Sequence, residues 1–110
     1  MVNKYRNKKV TRNGITYDSR KEADRHAVLK LLERAGKITD LQRQVKFELL
    51  PAQRDAKGKV IERACGYVAD FTYYENGVYI VEDTKGYRTP EYKLKRKMML
   101  YFHGIRIKEV

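Results

Sequence analysis

A single cysteine, Cys65, leaves no partner for an intramolecular disulfide and no thiolate set for a metal. A reducing compartment such as the cytoplasm is the matching expectation. No apolar run approaches the ~20 residues of a membrane span. The N-terminus also lacks the apolar core of a signal peptide, so neither a membrane nor export is expected. Acids are scarce too: 14 Asp and Glu stand against 25 Lys and Arg, a formal net charge of +11 over 110 residues. A charge of that sign and size points to a polyanion such as nucleic acid, with plain solubility as the alternative. The hydrophobic fraction of 42% is enough for a folded core and excludes a disordered basic tail. The length fits one domain, 1–110.

What is present is organised around the stretch from Val68 to Gly86. Two runs rich in β-branched and aromatic residues flank Asn76-Gly77, a strong hairpin signal. With those two as turn residues, Glu75 pairs with Val78, Tyr74 with Tyr79, and the register carries outward to Asp70 opposite Asp83. Opposed residues share a face with Cβ atoms roughly 4.5–5.5 Å apart, and Lys85 points to that face as well. Two carboxylates so placed repel each other, which a divalent cation would relieve. Their hard oxygens suit Mg2+ or Mn2+, and an ion there would activate water for attack on a phosphodiester. Lys85 would orient or deprotonate that water, or offset the developing charge. The bland alternative is a polar sheet face with a surface Lys85–Asp83 pair. The apolar neighbours Val68, Ala69, Phe71, Ile80 and Val81 argue instead for buried strands, where unpaired carboxylates are costly. Glu82 is a rival to Asp83, but its side chain is expected to face away from Asp70.

The remaining elements follow in chain order. Residues 1–9, with Lys4 and Lys8, read as a loose basic arm. Residues 10–17 repeat the hairpin signal around Asn13-Gly14, next to Arg12. Ser19 and Glu22 form a capping box opening a helix from Arg20 to about Ala35, closed by Gly36. Ala23, Ala27, Val28, Leu31, Leu32 and Ala35 are its expected buried stripe. Glu22 is fully explained as a cap, and a third carboxylate beside the metal is the other reading. Residues 38–43 read as a connection and 44–50 as a strand ended by Pro51. Residues 52–59 look like the tip of a long hairpin returning from Val60 through Tyr74, with Gly66 marking a bulge or bend. Thr89 and Pro90 start a second helix running to about Phe102. Leu94, Met98, Tyr101 and Phe102 are expected on its buried side, and Lys93, Arg96 and Lys97 on a basic edge. Residues 105–110 alternate like a final edge or parallel strand.

Glu22 on a first helix, Asp70 on a second core strand, Asp83-Thr84-Lys85 on the third and a basic helix afterwards resemble the PD-(D/E)XK nuclease superfamily. The inferred order also resembles that family's αβββαβ core, over about residues 19–110. The resemblance implies an α+β restriction-endonuclease-like fold, a mixed sheet flanked by two helices, here with an extra N-terminal hairpin. It implies a magnesium-dependent phosphodiesterase with Asp70 and Asp83 as ligands and Lys85 as the catalytic lysine, and it moves Glu22 toward the active site. Ala69 stands where the family name has proline, a variable position. The small size and residues 37–44 resemble small phage-encoded nucleases, some of them Holliday-junction-resolving enzymes. In these a glutamine at the first strand often lies near the site, here Gln44; an ordinary exposed strand residue is the equal alternative. Junction resolution would imply a homodimer. The expected function is therefore a metal-dependent endonuclease acting on DNA, branched DNA included. The alternative is a non-catalytic nucleic-acid-binding module using Lys4, Lys8, Arg12, Lys93, Lys95, Arg96 and Lys97. A further idea is a phage interaction protein using its tyrosines as a contact surface.

Overall fold

Asn76 and Gly77 adopt positive φ of 52° and 78° in the computed structural model, which describes residues 8–110. That pair of left-handed residues is what a two-residue hairpin turn requires. It joins β6 (Cys65–Glu75) to β7 (Val78–Asp83) in the expected register, from Glu75↔Val78 to Phe71↔Glu82. The same chemistry recurs at Asn13 and Gly14, which join β1 (Val10–Arg12) to β2 (Ile15–Tyr17). Of the expected N-terminal arm, residues 1–7 lie outside the described residues; Lys8 and Lys9 are exposed.

Helix α1 (Arg20–Arg34) starts at Ser19, whose Oγ accepts from the Glu22 N–H at 3.1 Å. Helix α2 (Pro90–His103) starts at Thr89 in the same way and ends on Gly104 at φ 66°. Between them, β3 (Thr39–Leu50) pairs antiparallel with β6, β6 with β7, and β8 (Lys108–Glu109) runs parallel to β7. The mixed sheet has the order β3-β6-β7-β8. The core is thus αβββαβ, with β1–β2 as an appended hairpin. A small outlying pair, β4 (Gln53–Arg54) and β5 (Val60–Glu62), sits between β3 and β6.

The helices cover opposite sheet faces. Glu82 points to α1, where Arg25 binds it, while its neighbour Val81 packs with Met99 of α2; adjacent strand residues face opposite ways. Leu29 and Ile38 pack with Phe71 and Tyr73 on the α1 side. Met99 and Tyr92 pack with Leu49, Tyr67, Ala69 and Ile107 on the other.

Both predicted helix stripes are rotated. On α1 the buried residues are Glu22, Ala23, His26 and Leu29, while Val28 and Leu31 are exposed. The reason is polar: Glu22 and His26 face the sheet because hydrogen bonds satisfy them there, His26 Nδ1 with the Tyr17 hydroxyl at 2.6 Å. On α2, Tyr92 and Met99 are buried, Met98 is partly buried, and Leu94, Tyr101 and Phe102 are exposed. Tyr92 takes the inner face because its hydroxyl reaches Glu109 at 2.7 Å. Strand β3 also begins earlier than expected, at Thr39. Its first part was hidden by Asp40 and Gln44, whose positive φ of 55° and 53° break the alternation. Opposite Gly66 the β3–β6 ladder shifts between Glu48 and Leu50, the irregularity expected there.

Glu82 is fully buried and accepts from Arg25 Nη2 at 2.9 Å and from the Tyr73 hydroxyl. Glu82→Ala should strand both donors and cost about 3–5 kcal/mol of stability, read as a lowered urea midpoint. Val28→Ala, on the exposed side of α1, should move that midpoint little.

Candidate functional site

In a regular strand Ala69, Phe71 and Tyr73 would share one face. Here Tyr67 and Ala69 pack on the α2 side, whereas Phe71 and Tyr73 pack on the α1 side. Strand β3 changes over in parallel, with Leu41 on the α1 side and Phe47 and Leu49 on the α2 side. The pairs Arg43↔Phe71 and Val45↔Ala69 bracket the changeover, so it falls at Gln44 opposite Asp70. Gln44 is the residue with φ 53°.

The β6–β7 ladder stops at Phe71↔Glu82, so Asp70 and Asp83 are not a ladder pair as the extrapolated register had it. A side chain takes over instead: Asp70 Oδ2 accepts from the Thr84 N–H at 2.9 Å and from its Oγ at 2.7 Å. This keeps the Asp70 carboxylate against Asp83. Asp83 is buried, accepts from the Tyr67 hydroxyl at 2.6 Å, and has Lys85 Nζ at 3.2 Å from Oδ2. That Nζ also lies 4.4 Å from the Tyr92 ring centroid. Burial first, then the adjacent Asp70, pushes the Asp83 carboxyl up to about 7, against the opposing pull of Tyr67 and Lys85.

Glu22 serves the helix start and also touches Gln44. Its Oε1 accepts from the Asp18 N–H at 3.1 Å, one residue before the cap, and its Oε2 accepts from Gln44 Nε2 at 3.0 Å. The same amide lies 3.4 Å from Asp70 Oδ1, so Gln44 bridges the two acids. Burial and then Asp70 raise the Glu22 carboxyl, and Arg43 stands 3.6 Å from it. Glu82 faces away, bound to Arg25 and Tyr73.

Three participants escaped sequence reasoning. Thr84 was read only as a spacer in the Asp83-Thr84-Lys85 run. Tyr67 was one aromatic among many. Arg43, whose guanidinium covers the Tyr17 ring at 4.7 Å, lay in a stretch taken for a connection. Only for Thr84 was there a signal: a hydroxyl flanked by Asp83 and Lys85.

The basic residues divide. Lys8 lines a cavity of about 380 Å³ with Ser19, Arg20, Lys21, Thr84 and Gly86, next to the acids. Lys95, with Lys85, Tyr67 and Tyr92, lines another of about 280 Å³. Arg96 and Lys97 line a third with Arg106 and Ile107, and Arg96 is held by Glu109 at 2.9 Å. Lys93 is exposed, and Arg12 pairs with Asp24 at 2.8 Å. The part of α2 that shares a cavity with Lys85 is therefore Thr89, Glu91, Tyr92 and Lys95, not the expected edge of Lys93, Arg96 and Lys97.

The Asp70–Asp83 pair suits a hard divalent cation: the donors are carboxylate oxygens, and their mutual repulsion in a buried setting is what a cation removes. Among the described residues, no three His, Cys, Asp or Glu side chains converge to hold an ion as they stand. The donor set is thus a pair, with Glu22 set apart behind Gln44. Also among the described residues, no helix is long and apolar enough to cross a membrane.

The sequence profile of the family described as "Protein of unknown function (DUF1064)" matches residues 2–109. No curated protein and no solved structure matches the chain.

An acid raised in the fold binds its proton more tightly there than in the unfolded chain, whose Asp titrates near ~3.9. Stability therefore falls as pH rises from about 4 to the folded value of about 7 and is level above it. In EDTA, the urea midpoint of Asp83→Asn should lack this component. Subtracting its pH profile from wild type should leave a decline confined to that window.

Proposed function

The chain belongs to the DUF1064 family, and we propose that it is a metal-dependent DNA endonuclease. The observation that carries the reading is Asp83, buried against Asp70 with Lys85 Nζ at 3.2 Å. Asp70 and Asp83 would hold Mg2+ or Mn2+, and Glu22 would come in through Gln44. When bound, the ion supplies Lewis acidity to water and to the attacked phosphoryl group.

The chain's own residues do the rest. Thr84 fixes Asp70 with two donors. Tyr67 orients Asp83 through its hydroxyl. Lys85, resting on the Tyr92 ring, carries a cation and a mobile proton at Nζ beside the carboxylates. It would stabilise charge developing on a non-bridging phosphate oxygen or move a proton at the attacking water. Lys8, Arg20 and Lys21 on one side and Lys95 on the other flank the acids with positive charge, which suits a phosphodiester backbone. Among the described residues no element resembles a base-reading helix, so recognition by shape, including branched DNA, is the preferred form. Cutting both strands of a junction would use two copies.

One observation favours a second reading, a non-catalytic nucleic-acid-binding module: the oxygens of Asp70 are already engaged by Thr84 and Gln44. The two readings part on metal. Incubated with duplex, single-stranded and four-way-junction DNA, the protein should cleave with Mg2+ or Mn2+ and not with EDTA. Asp83→Asn, Asp70→Asn and Lys85→Ala should each lower cleavage by about 10²–10³-fold while DNA binding persists, as loss of a principal electrostatic contact to the reacting group does. Binding with no metal-dependent cleavage of any substrate would leave only the module.

A further inference from the structure

Residues 51–64 are exposed without exception, though they form ordered structure. They leave the sheet at Leu50 and Cys65, where the ladder shifts, and carry β4 and β5 as a two-stranded arm. No residue of this arm joins either core cluster. The molecule is correspondingly extended, with a radius of gyration of 16.4 Å against roughly 13 Å for a compact chain of about this size.

The arm's tip is nevertheless tied. Asp55 Oδ1 accepts from the N–H groups of Lys57 and Lys59 at 2.9 and 3.0 Å, and Arg54 Nη1 donates to the Gly58 carbonyl at 2.7 Å. The Asp55 N–H reaches the Lys59 carbonyl at 2.9 Å, across Gly58 at φ 85°. Asp55 is thereby committed to the turn. The side chains of Lys57, Lys59 and Arg63 have no ion pair or hydrogen bond among the described residues. Val60 and Ile61 stand beside them, 39% and 59% exposed.

We propose that this arm is a β-ribbon that grips duplex DNA in a groove at a distance from the acids. The inference rests on the DNA-endonuclease reading and extends it to the substrate. A major groove about 12 Å wide admits a two-stranded ribbon. From Gln44 to Leu50 strand β3 rises about 20 Å at ~3.4 Å per residue, and the arm continues beyond Leu50. Lys57, Lys59 and Arg63 bind phosphates, and Val60 and Ile61 press on the groove wall. A second protein copy is the poorer occupant. Two apolar side chains fall far short of the ~800 Å² per partner of a standard interface.

The test is Lys57→Ala/Lys59→Ala/Arg63→Ala against wild type, in EDTA. Binding is followed by anisotropy on a duplex of about 30 bp and a four-way junction, between about 50 and 200 mM salt. Melting temperatures should agree, since all three residues are exposed. Affinity should fall at least tenfold, and the slope of log K against log salt should shrink by about 2–3. Equal affinity and slope, in a wild type that cuts DNA with metal, would overturn the arm and leave the nuclease reading intact. A wild type that neither binds nor cuts would overturn both. A variant that becomes monomeric in sedimentation while its DNA affinity is unchanged would assign the arm to a second copy and overturn the proposal.

Discussion

The site depends on one constraint, the simultaneous change of face in β3 and β6. Either strand alone could not turn over without breaking its ladder to the other. Turning at opposed residues, Gln44 and Asp70, preserves the pairing on both sides of the break. The consequence is local and chemical. Once Asp70 leaves the ladder with β7, the Thr84 N–H has no strand partner there, and the Asp70 carboxylate accepts it. The carboxylate beside Asp83 is therefore part of the sheet's hydrogen bonding. The left-handed backbone of Gln44 costs roughly 1–2 kcal/mol, and the amide offsets part of this by donating to Glu22 and lying near Asp70. Strain of this kind gathers where geometry serves something besides folding.

Neighbouring acids on β7 have opposite fates for the same reason of alternation. Glu82 looks toward α1 and meets a guanidinium and a phenol, which satisfy its charge and tie the helix to the sheet. Asp83 looks toward α2 and meets another carboxylate, a phenol and an ammonium group. The first environment supplies a bidentate guanidinium and a phenol. The second opposes ionisation of Asp83 through burial and like charge. Two acids adjacent in sequence thus become an anchor and one half of a close carboxylate pair. On the α2 side, Glu109 plays the anchoring part that Glu82 plays on the other. Burial works against its charge, but donors from Tyr92, Arg88 and Arg96 outweigh that and hold it at about 2.

What could be read from the residues was whatever backbone chemistry dictates locally. Asn76-Gly77 announced its turn because few other pairs tolerate two positive φ values, and the register of five pairs followed. Ser19 and Thr89 announced helix starts because orphan N–H groups need an oxygen. The αβββαβ order followed from these punctuation points. The rotation of both helices was not legible, because hydropathy assigns Val28 and Leu94 to the core and Glu22 and Tyr92 to the surface. The structure inverts that wherever a polar tip finds a buried partner. Nor was the first half of β3 legible, since left-handed residues at Asp40 and Gln44 look like a loop. Register and spacing picked out Asp70, Asp83 and Lys85, and the family resemblance added Glu22; the structure brings the four near one another. Tyr67, Thr84 and Arg43, which hold them, are defined by tertiary contact and have no spacing of their own.

The distribution of charge gives the last step. A net +11 would be unremarkable if its cations were paired, yet many are not. Some cations are paired: Arg25 with the buried Glu82, Arg96 and Arg88 with the partly exposed Glu109, and Lys9, Arg12 and Lys95 with surface acids. Elsewhere Lys93, Lys97, Lys57, Lys59 and Arg63 face solvent without partners among the described residues. Unpaired like charges destabilise a compact chain by repulsion. Exposed acids such as Asp24, Glu33, Glu62 and Glu91 are interspersed among them, while Glu22, Glu82 and Asp83 are buried. The buried acids form the anchor at Arg25 and, with Asp70, the close carboxylate pair. Under the reading proposed above, the exposed cations would hold a polyanion and the Asp70–Asp83 pair would meet it only through a metal cation, so binding and metal dependence would share one electrostatic origin.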